Sequence, residues 1–592
     1  MNTTRSFLCT LNALLLSVVF GGGFIRAEAP RNVDCSASEL LPQTVVAVAE
    51  ASDLGSAIET ILNHPLRRRI ESLPAYSAVV KSGSLDQLKL GISAFETSMG
   101  KPWQQAIQTL TDGGVTVAVD SSSSGVAILL KSSDVDMLER LRGFLLALGQ
   151  LKEGKLSAIE QGEYRGFTAY ALSKELKLAL MDHWMLITNK SELGKSIIDQ
   201  YLDRKQDSLH LSAGFSRAIK ERESQGGGTP LMTAYVDVAT LRAAGVAKPL
   251  YNEKTDNPGA EVLLGGVLAN LRHTPFAAAT LSVDNSGAHL QFSSPHQQAW
   301  QPPREYFFGE EQLAAAPALL EVENRLFAIS AHRDLSQMWL RSGDLLTDQA
   351  NDGIAKADTQ LSTFFSGRDF GEEILGALES DVQIVGKAQD FSGVLPLPAI
   401  KLPAFAIQFR MKTPEETAPD FRRVFQSFIG FLNVVGAMDG QPQFDLAMET
   451  IGDAKLFSAT YIATPDNRES TDAPINFNFS PTIAFSGDRV IFSSTVPLAR
   501  ELAAKSATHS DDHAKRNTEF LFDANTLKQI LDVNQSQLVA NNMLEKGHDQ
   551  QAAEAEIGLL LELVGMFKDM KADLDVTDEK MSLNVRLNVD QE

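Results

Sequence analysis

The chain has 592 residues, 44% of them apolar, and a formal net charge of −22. It is long enough to bury more than one core, and too acidic to favour nucleic acid or anionic lipid surfaces as partners. Its two cysteines, Cys9 and Cys35, exclude a disulfide-framed design, so stability must come from packing.

Arg5 followed by the apolar run Phe7 to Phe20 reads as a secretory signal occupying residues 1–29, with cleavage after Ala27 or Ala29. The run is too short for a membrane span, and no later stretch reaches about 18 uninterrupted apolar residues. Export to the periplasm or the extracellular space is therefore expected, with no transmembrane segment after cleavage. Cys35 follows Asn32, Val33 and Asp34, which is not the small, apolar approach that lipid attachment needs.

After the signal the sequence repeats itself in order. Gly100, Trp103, Ile107 and Val115 return as Gly367, Phe370, Ile374 and Val382, each 267 positions later. Asp53-Leu54 returns as Asp334-Leu335, Asp237 with Thr240-Leu241 as Asp523 with Thr526-Leu527, and a closing hairpin from Leu281 as one from Leu574. Collinear self-similarity of this kind predicts two tandem homologous modules, at 40–297 and 318–592, joined by a proline- and glutamine-rich linker at 298–317.

Each module shows the same predicted order. A strand (Val45 to Val48; Leu326 to Ser330) leads into helices. A strand pair follows (Val115 to Val119 with Val126 to Leu130; Val382 to Val385 with Phe405 to Phe409), then a strongly apolar helix (Met137 to Leu148; Phe421 to Val435). Three strands come next: Phe167 to Leu172, Leu176 to Met181 and Trp184 to Thr188 in the first module, Leu456 to Ile462, Ile475 to Phe485 and Val490 to Ser493 in the second. Period-two alternation and short turns predict antiparallel pairing. The fold class is α+β, each module a mainly antiparallel sheet with helices packed on one face.

The repeated residues have structural readings. Asp53, Asp334, Asp237 and Asp523 each stand directly before a helical run, where an aspartate caps the free N–H groups. Trp103 and Ile107, like Phe370 and Ile374, share one helix face and read as core. The basic cluster Arg67 to Arg69 reads as a solvated helix face.

Few patterns carry chemistry. Gly149 to Lys155 nearly spells a phosphate-binding loop, but Leu156 stands where a hydroxyl should hold magnesium, and the glycines follow a helix. The run Gly226 to Gly228 reads as a flexible loop with no helix start to receive phosphate. His509, Asp511, Asp512 and His513 are the one local candidate metal set, two imidazoles and two carboxylates within five residues. No Gly-x-Ser-x-Gly elbow and no His-Glu-x-x-His occurs, so the common hydrolase signatures are missing. No catalytic residue is assigned and no cofactor is expected. The helix Phe421 to Val435 is apolar on nearly all sides and is expected to be buried between layers, the alternatives being the wall of an apolar-ligand cavity or a partner-docking face.

Several of these features together resemble a bacterial family of exported proteins that is known as a domain of unknown function. They are the short strand followed by Ser52-Asp53-Leu54, the helix from Pro65-Leu66, the strand near Gly113, and the Val/Ile-rich strand pair with its following helix. The resemblance implies export, assigns no activity and carries over no site residues. The leading expectation is a non-catalytic binding or structural protein of the bacterial envelope, its partner an unknown protein or apolar ligand. A carrier of lipid or another apolar ligand is the second reading, and a hydrolase with an unrecognised acidic site the third.

Overall fold

The computed structural model describes residues 35–590, apart from 82–85, 153–154, 157–158, 205–206, 225–229, 310–314, 439, 441, 464, 466–467 and 506–515. The signal at 1–29 and the glycine run Gly226 to Gly228 lie outside the described residues. The chain forms two compact units. The first holds residues up to Val246 together with Pro275–Phe292, and the second holds Ala247–Thr274 with Ser293–Asp590.

Apart from a separate two-residue hairpin, Leu151–Lys152 with Lys155–Leu156, the first ten strands in chain order are β1 (Val45–Ala51), β2 (Val115–Asp120), β3 (Gly125–Lys131), β4 (Gln161–Tyr164), β5 (Phe167–Ala171), β6 (Lys177–Met181), β7 (Trp184–Thr188), β8 (Met232–Val236), β9 (Ala277–Asp284) and β10 (Gly287–Pro295). The sheet of the first unit runs β4-β5-β6-β7-β3-β2-β1-β8-β9, every pair antiparallel. The second unit contributes β11 (Arg325–His332), β12 (Asp381–Lys387), β13 (Ala404–Arg410), β14 (Phe444–Ile451), β15 (Ala454–Tyr461), β16 (Thr482–Ser486), β17 (Arg489–Ser493), β18 (Arg516–Asp523), β19 (Phe567–Val576) and β20 (Lys580–Val589). Its sheet runs β14-β15-β16-β17-β13-β12-β11-β18-β19-β20, again wholly antiparallel. From β14 to β19 this order matches the first unit strand for strand. The α+β class follows directly.

Helices lie on both faces of each sheet, where one covered face was expected. In the first unit Leu186 packs with Leu193, Ile197 and Tyr201 of the helix Ser191–Asp203, while its neighbour Met185 packs with Met137, Leu138 and Phe144 of the helix Val135–Gln150. In the second, Ile491 packs with Leu498 and Leu502, and Val490 with Phe421. Successive strand residues point to opposite faces, so runs such as Trp184-Met185-Leu186 and Val490-Ile491 require cover on both. The expected strand across Ile475 to Phe485 is also shorter. Ile475–Asn478 is a 3₁₀ turn between Pro474 and Pro481, and the strand begins at Thr482. The Asn478 side chain donates to the carbonyls of Ile400 and Ile475 and accepts from Leu402 N–H, bonds that a strand would have to give up.

All four aspartate caps form. Asp53, Asp237, Asp334 and Asp523 accept from the N–H of Ser56, Thr240, Gln337 and Thr526 at 2.8, 2.8, 2.9 and 2.7 Å. Arg67 lies on an exposed helix face, paired with Glu71 at 2.7 Å. Trp103 opens an α-helix, whereas its counterpart Phe370 opens a five-residue π-helical turn ending at Ile374.

Candidate functional site

Two regions of the second unit stand apart from ordinary packing, one closed and polar, the other open and apolar.

The closed region centres on Glu261, in the helix Pro258–His273. Arg304 holds its carboxylate at 2.8 and 3.2 Å, Thr255 donates to it at 3.2 Å, and the Tyr306 hydroxyl lies 2.8 Å from both its Oε1 and its main-chain carbonyl. A Cβ on Gly266 would run into the Phe307 ring, so glycine is what lets this aromatic segment press onto the helix. The Arg333 guanidinium lies over the Phe307 ring, 3.6 Å from its centroid, and donates to Val262 O, Asn517 and Thr518. Burial lowers the Arg333 pKa to about 9. Burial, and then Glu261, push the Tyr306 hydroxyl far above the usual phenol range. Alongside, His296 lies 2.9 Å from Asn270 Oδ1 and 3.1 Å from Gln301 Nε2, and burial lowers its pKa to about 4. These partners fit a neutral ring that donates through Nδ1 and accepts at Nε2. Every carboxylate oxygen of Glu261 has a donor and the groups are buried, so the arrangement clamps rather than reacts. Residues 298–308, read from sequence as the start of a linker, carry Gln301, Arg304, Tyr306, Phe307 and Phe308 into this buried region.

The open region is built from the helix Pro414–Met438 and the edge strand β14. Proline at the first helical position and Glu415 and Glu416 in the first turn favour the helix start. Two apolar stripes then run along it at helical spacing. The inner one, Phe421, Phe425, Ile429 and Leu432, packs on the sheet: Phe421 meets Phe492 edge to face at 5.7 Å, and Ile429 meets Phe444 and Ala459. The outer one, Phe428, Phe431, Val434 and Met438, is 45 to 84% exposed. From Val424 to Met438 there is no charged residue. The expectation that this helix is buried between layers therefore holds for one stripe only. Because both stripes are apolar, no charged face in the sequence marks which side is wet.

β14 forms the end of the second sheet, paired only with β15 among the described strands, in a continuous register from Phe444–Tyr461 to Ile451–Ala454. Ile462 N–H bonds Gln443 O at 2.8 Å. Antiparallel alternation then gives the odd-numbered residues of β14 the bonds to β15 and turns the backbone groups of Phe444, Leu446, Met448 and Thr450 outward. Those of Phe444 are met by the Asn433 side chain, which accepts at 2.6 Å and donates at 3.0 Å. The Leu446, Met448 and Thr450 backbone groups face away from the sheet. By the period of two, the Leu446 and Met448 side chains share the helix-covered face of Phe444, and both are exposed. The sequence reading missed β14, although Phe444, Leu446, Met448 and Thr450 alternate with Asp445, Ala447 and Glu449 across it.

The candidate metal residues His509, Asp511, Asp512 and His513 lie outside the described residues. Among the described residues no group of three or more His, Cys, Asp or Glu side chains is placed to hold a metal ion. Cys35 is buried, and burial raises its thiol pKa. No described helix is long and apolar enough to cross a membrane.

No protein-family model matches the chain, and no curated protein matches it. Among solved structures, crystal form I of TP0453 aligns at 10% identity over 45% of this chain and 80% of that one, with a TM-score of 0.23. Form III aligns at 10% identity over 49% and 90% with a TM-score of 0.23, and form IV at 12% identity over 48% and 87% with a TM-score of 0.24. Likeness at that level carries no argument about fold or function.

Proposed function

We propose that the chain is an exported protein of the bacterial envelope, built from two copies of one α+β module, that works by binding rather than by catalysis. The binding surface is the open apolar region of the second unit. The observation that carries this reading is the outer stripe Phe428, Phe431, Val434 and Met438, exposed beside a sheet edge whose side chains Leu446 and Met448 are also apolar and exposed. A contiguous apolar patch of this kind marks an interaction surface in a soluble protein. Arg5 with the apolar run Phe7 to Phe20 supports export. The matched strand order of the two sheets, together with the collinear sequence landmarks, supports duplication. The polar constellation around Glu261 supports a structural role for the segment that follows the first module.

The test is site-specific photo-crosslinking in intact cells of the source bacterium. A benzophenone side chain at Phe431 or Met448 is compared with one at Arg140, on the corresponding helix of the first unit. Adducts of defined mass from positions 431 and 448, and none from 140, support the reading. Equal yields from all three positions, or adducts from none, overturn it. An adduct with a lipid in place of a protein would make the chain a carrier of apolar ligands.

A further inference from the structure

We propose that the occupant of this open region is a second copy of the same chain, joined edge to edge through β14. The inference rests on the reading above that the region is a binding surface, and it names the partner.

Two unmet requirements lie side by side here. Leu446, Met448 and Thr450 turn backbone donors and acceptors outward at a sheet edge, which another β-strand completes. The helix stripe from Phe428 to Met438 needs apolar cover. A lipid surface would cover the stripe and leave the strand edge unpaired. An isolated extended peptide would pair with the edge and leave most of the stripe wet. A second copy meets both. With a two-fold axis perpendicular to the sheet, the two β14 strands run antiparallel in one continuous sheet, and the helices Pro414–Met438 come together on its same side.

Size and charge agree. Phe428, Phe431, Val434, Met438, Leu446 and Met448 are 44 to 84% exposed. At ~150–200 Å² for a whole large side chain, they carry on the order of 600 Å² per copy. Two copies together reach ~1,200 Å² before the strand edges are counted, the lower bound for a stable interface. A chain of net charge −22 repels its own copies at long range, and a neutral patch is where self-association meets the least repulsion. This patch is nearly neutral. Residues 424–438 are uncharged, and Glu449 is already paired with Arg500 at 2.8 Å.

The backbone also selects a register. Phe444 is closed by Asn433, which leaves Leu446, Met448 and Thr450 as the outward groups. A two-fold pairing that uses all three sets Met448 opposite Met448 of the second copy and Leu446 opposite Thr450. Asp445 then faces Ile451 and Glu449 faces Ala447, so no two carboxylates oppose each other.

Sedimentation velocity on the purified full chain, with circular dichroism as the folding control, tests the proposal. The wild type is expected to be a dimer at tens of micromolar. Leu446→Lys with Met448→Lys sets four like charges at the dyad and is expected to weaken the dimer by about 100-fold or more with the fold intact. Met448→Cys is expected to give an intermolecular adduct with a short bis-maleimide, because opposed Cβ atoms of a hydrogen-bonded antiparallel pair lie about 5.5 Å apart, too far for an unstrained disulfide and within reach of a short linker. Arg140→Cys is expected to give none. A monomeric wild type, or a dimer unmoved by the two lysines, overturns the proposal. A monomer that still gives cellular adducts from position 431 with another protein overturns the second copy alone and leaves the binding reading standing.

Discussion

The helices Val135–Gln150 and Pro414–Met438 occupy the same place in chain order, after the second strand of a pair, and end differently. The first is closed. Phe144 packs edge to face on Phe95 at 5.3 Å, Arg140 donates to Met99 O at 2.9 Å, and the wet side carries Asp136, Glu139 and Arg140. The second is longer and carries no charge over its last 15 residues, 424 to 438, with its outer stripe left in solvent. The sheet edges nearby differ in the same sense. β4 has four residues and turns the backbone groups of Gln161 and Glu163 outward, given the bond from Ala171 N–H to Glu160 O. β14 has eight and turns out those of Leu446 and Met448. Short, charged edges are how proteins avoid unwanted strand addition. Two sheets of matching strand order thus end in a guarded edge and an unguarded one, and the difference lies in strand length and side chains.

The largest expected effect lies in the closed half of the second unit and sharpens the contrast with its open half. Glu261→Ala leaves Arg304 charged and buried without its partner, and should cost ~3–5 kcal/mol. Hydrogen exchange should show lost protection in β11 to β20 peptides. Loss confined to the exposed edge β14 would contradict the clamp. Phe144→Ala opens a cavity in the first unit and should cost ~3–5 kcal/mol in urea unfolding. By contrast, Phe431→Ala, at an exposed position of the matching helix, should stay within about 0.5 kcal/mol when unfolding is followed well below the dimer's Kd. Equal costs would remove the distinction between a covered helix and an open one.

His296 gives a pH test of the closed region. Its folded-state pKa, about 4, lies below the ordinary value of 6.5. Its contribution is therefore whole above pH 6.5 and is lost as pH falls toward 4, because the unfolded chain takes up the proton first. The loss amounts to about 3 kcal/mol. The difference in unfolding free energy between wild type and His296→Gln should change by that amount across this interval, and a flat difference would remove His296 from the account. The smallest effect concerns salt. Since the chain is strongly acidic and the proposed interface nearly neutral, raising ionic strength from 0.02 to 0.2 M, roughly a threefold shortening of the screening length, should tighten the dimer. Weakening would point to a partner held by charge.

Much of this architecture is legible in the sequence. The aspartate caps, the strand pairs and both closing hairpins follow from local pattern, because a cap or a tight turn is fixed by residues three or four apart. The edge strands β4 and β14 were not read. Gln161 to Tyr164 is too short and polar to register as a strand, whereas β14 carries a period of two from Phe444 to Thr450. The placing of helices on both sheet faces is a tertiary fact, visible only as unbroken apolar runs such as Trp184-Met185-Leu186. The helix Phe421 to Val435 was legible as a helix but not as half exposed, since amphipathicity shows only where one side is polar. In the segment read as a linker, prolines and glutamines outweighed Tyr306, Phe307 and Phe308, the residues that bury it.

Hydrogen exchange of the β14 peptide, residues 444–451, measured at 0.5 and 50 μM protein, tests the central claim most directly (the two concentrations are chosen, roughly, to bracket a micromolar Kd). If a second copy completes this edge, the Leu446, Met448 and Thr450 amides become protected at the higher concentration, while the β4 peptide, residues 161–164, exchanges at the same rate at both. Exchange of the β14 peptide that is independent of concentration would contradict the account.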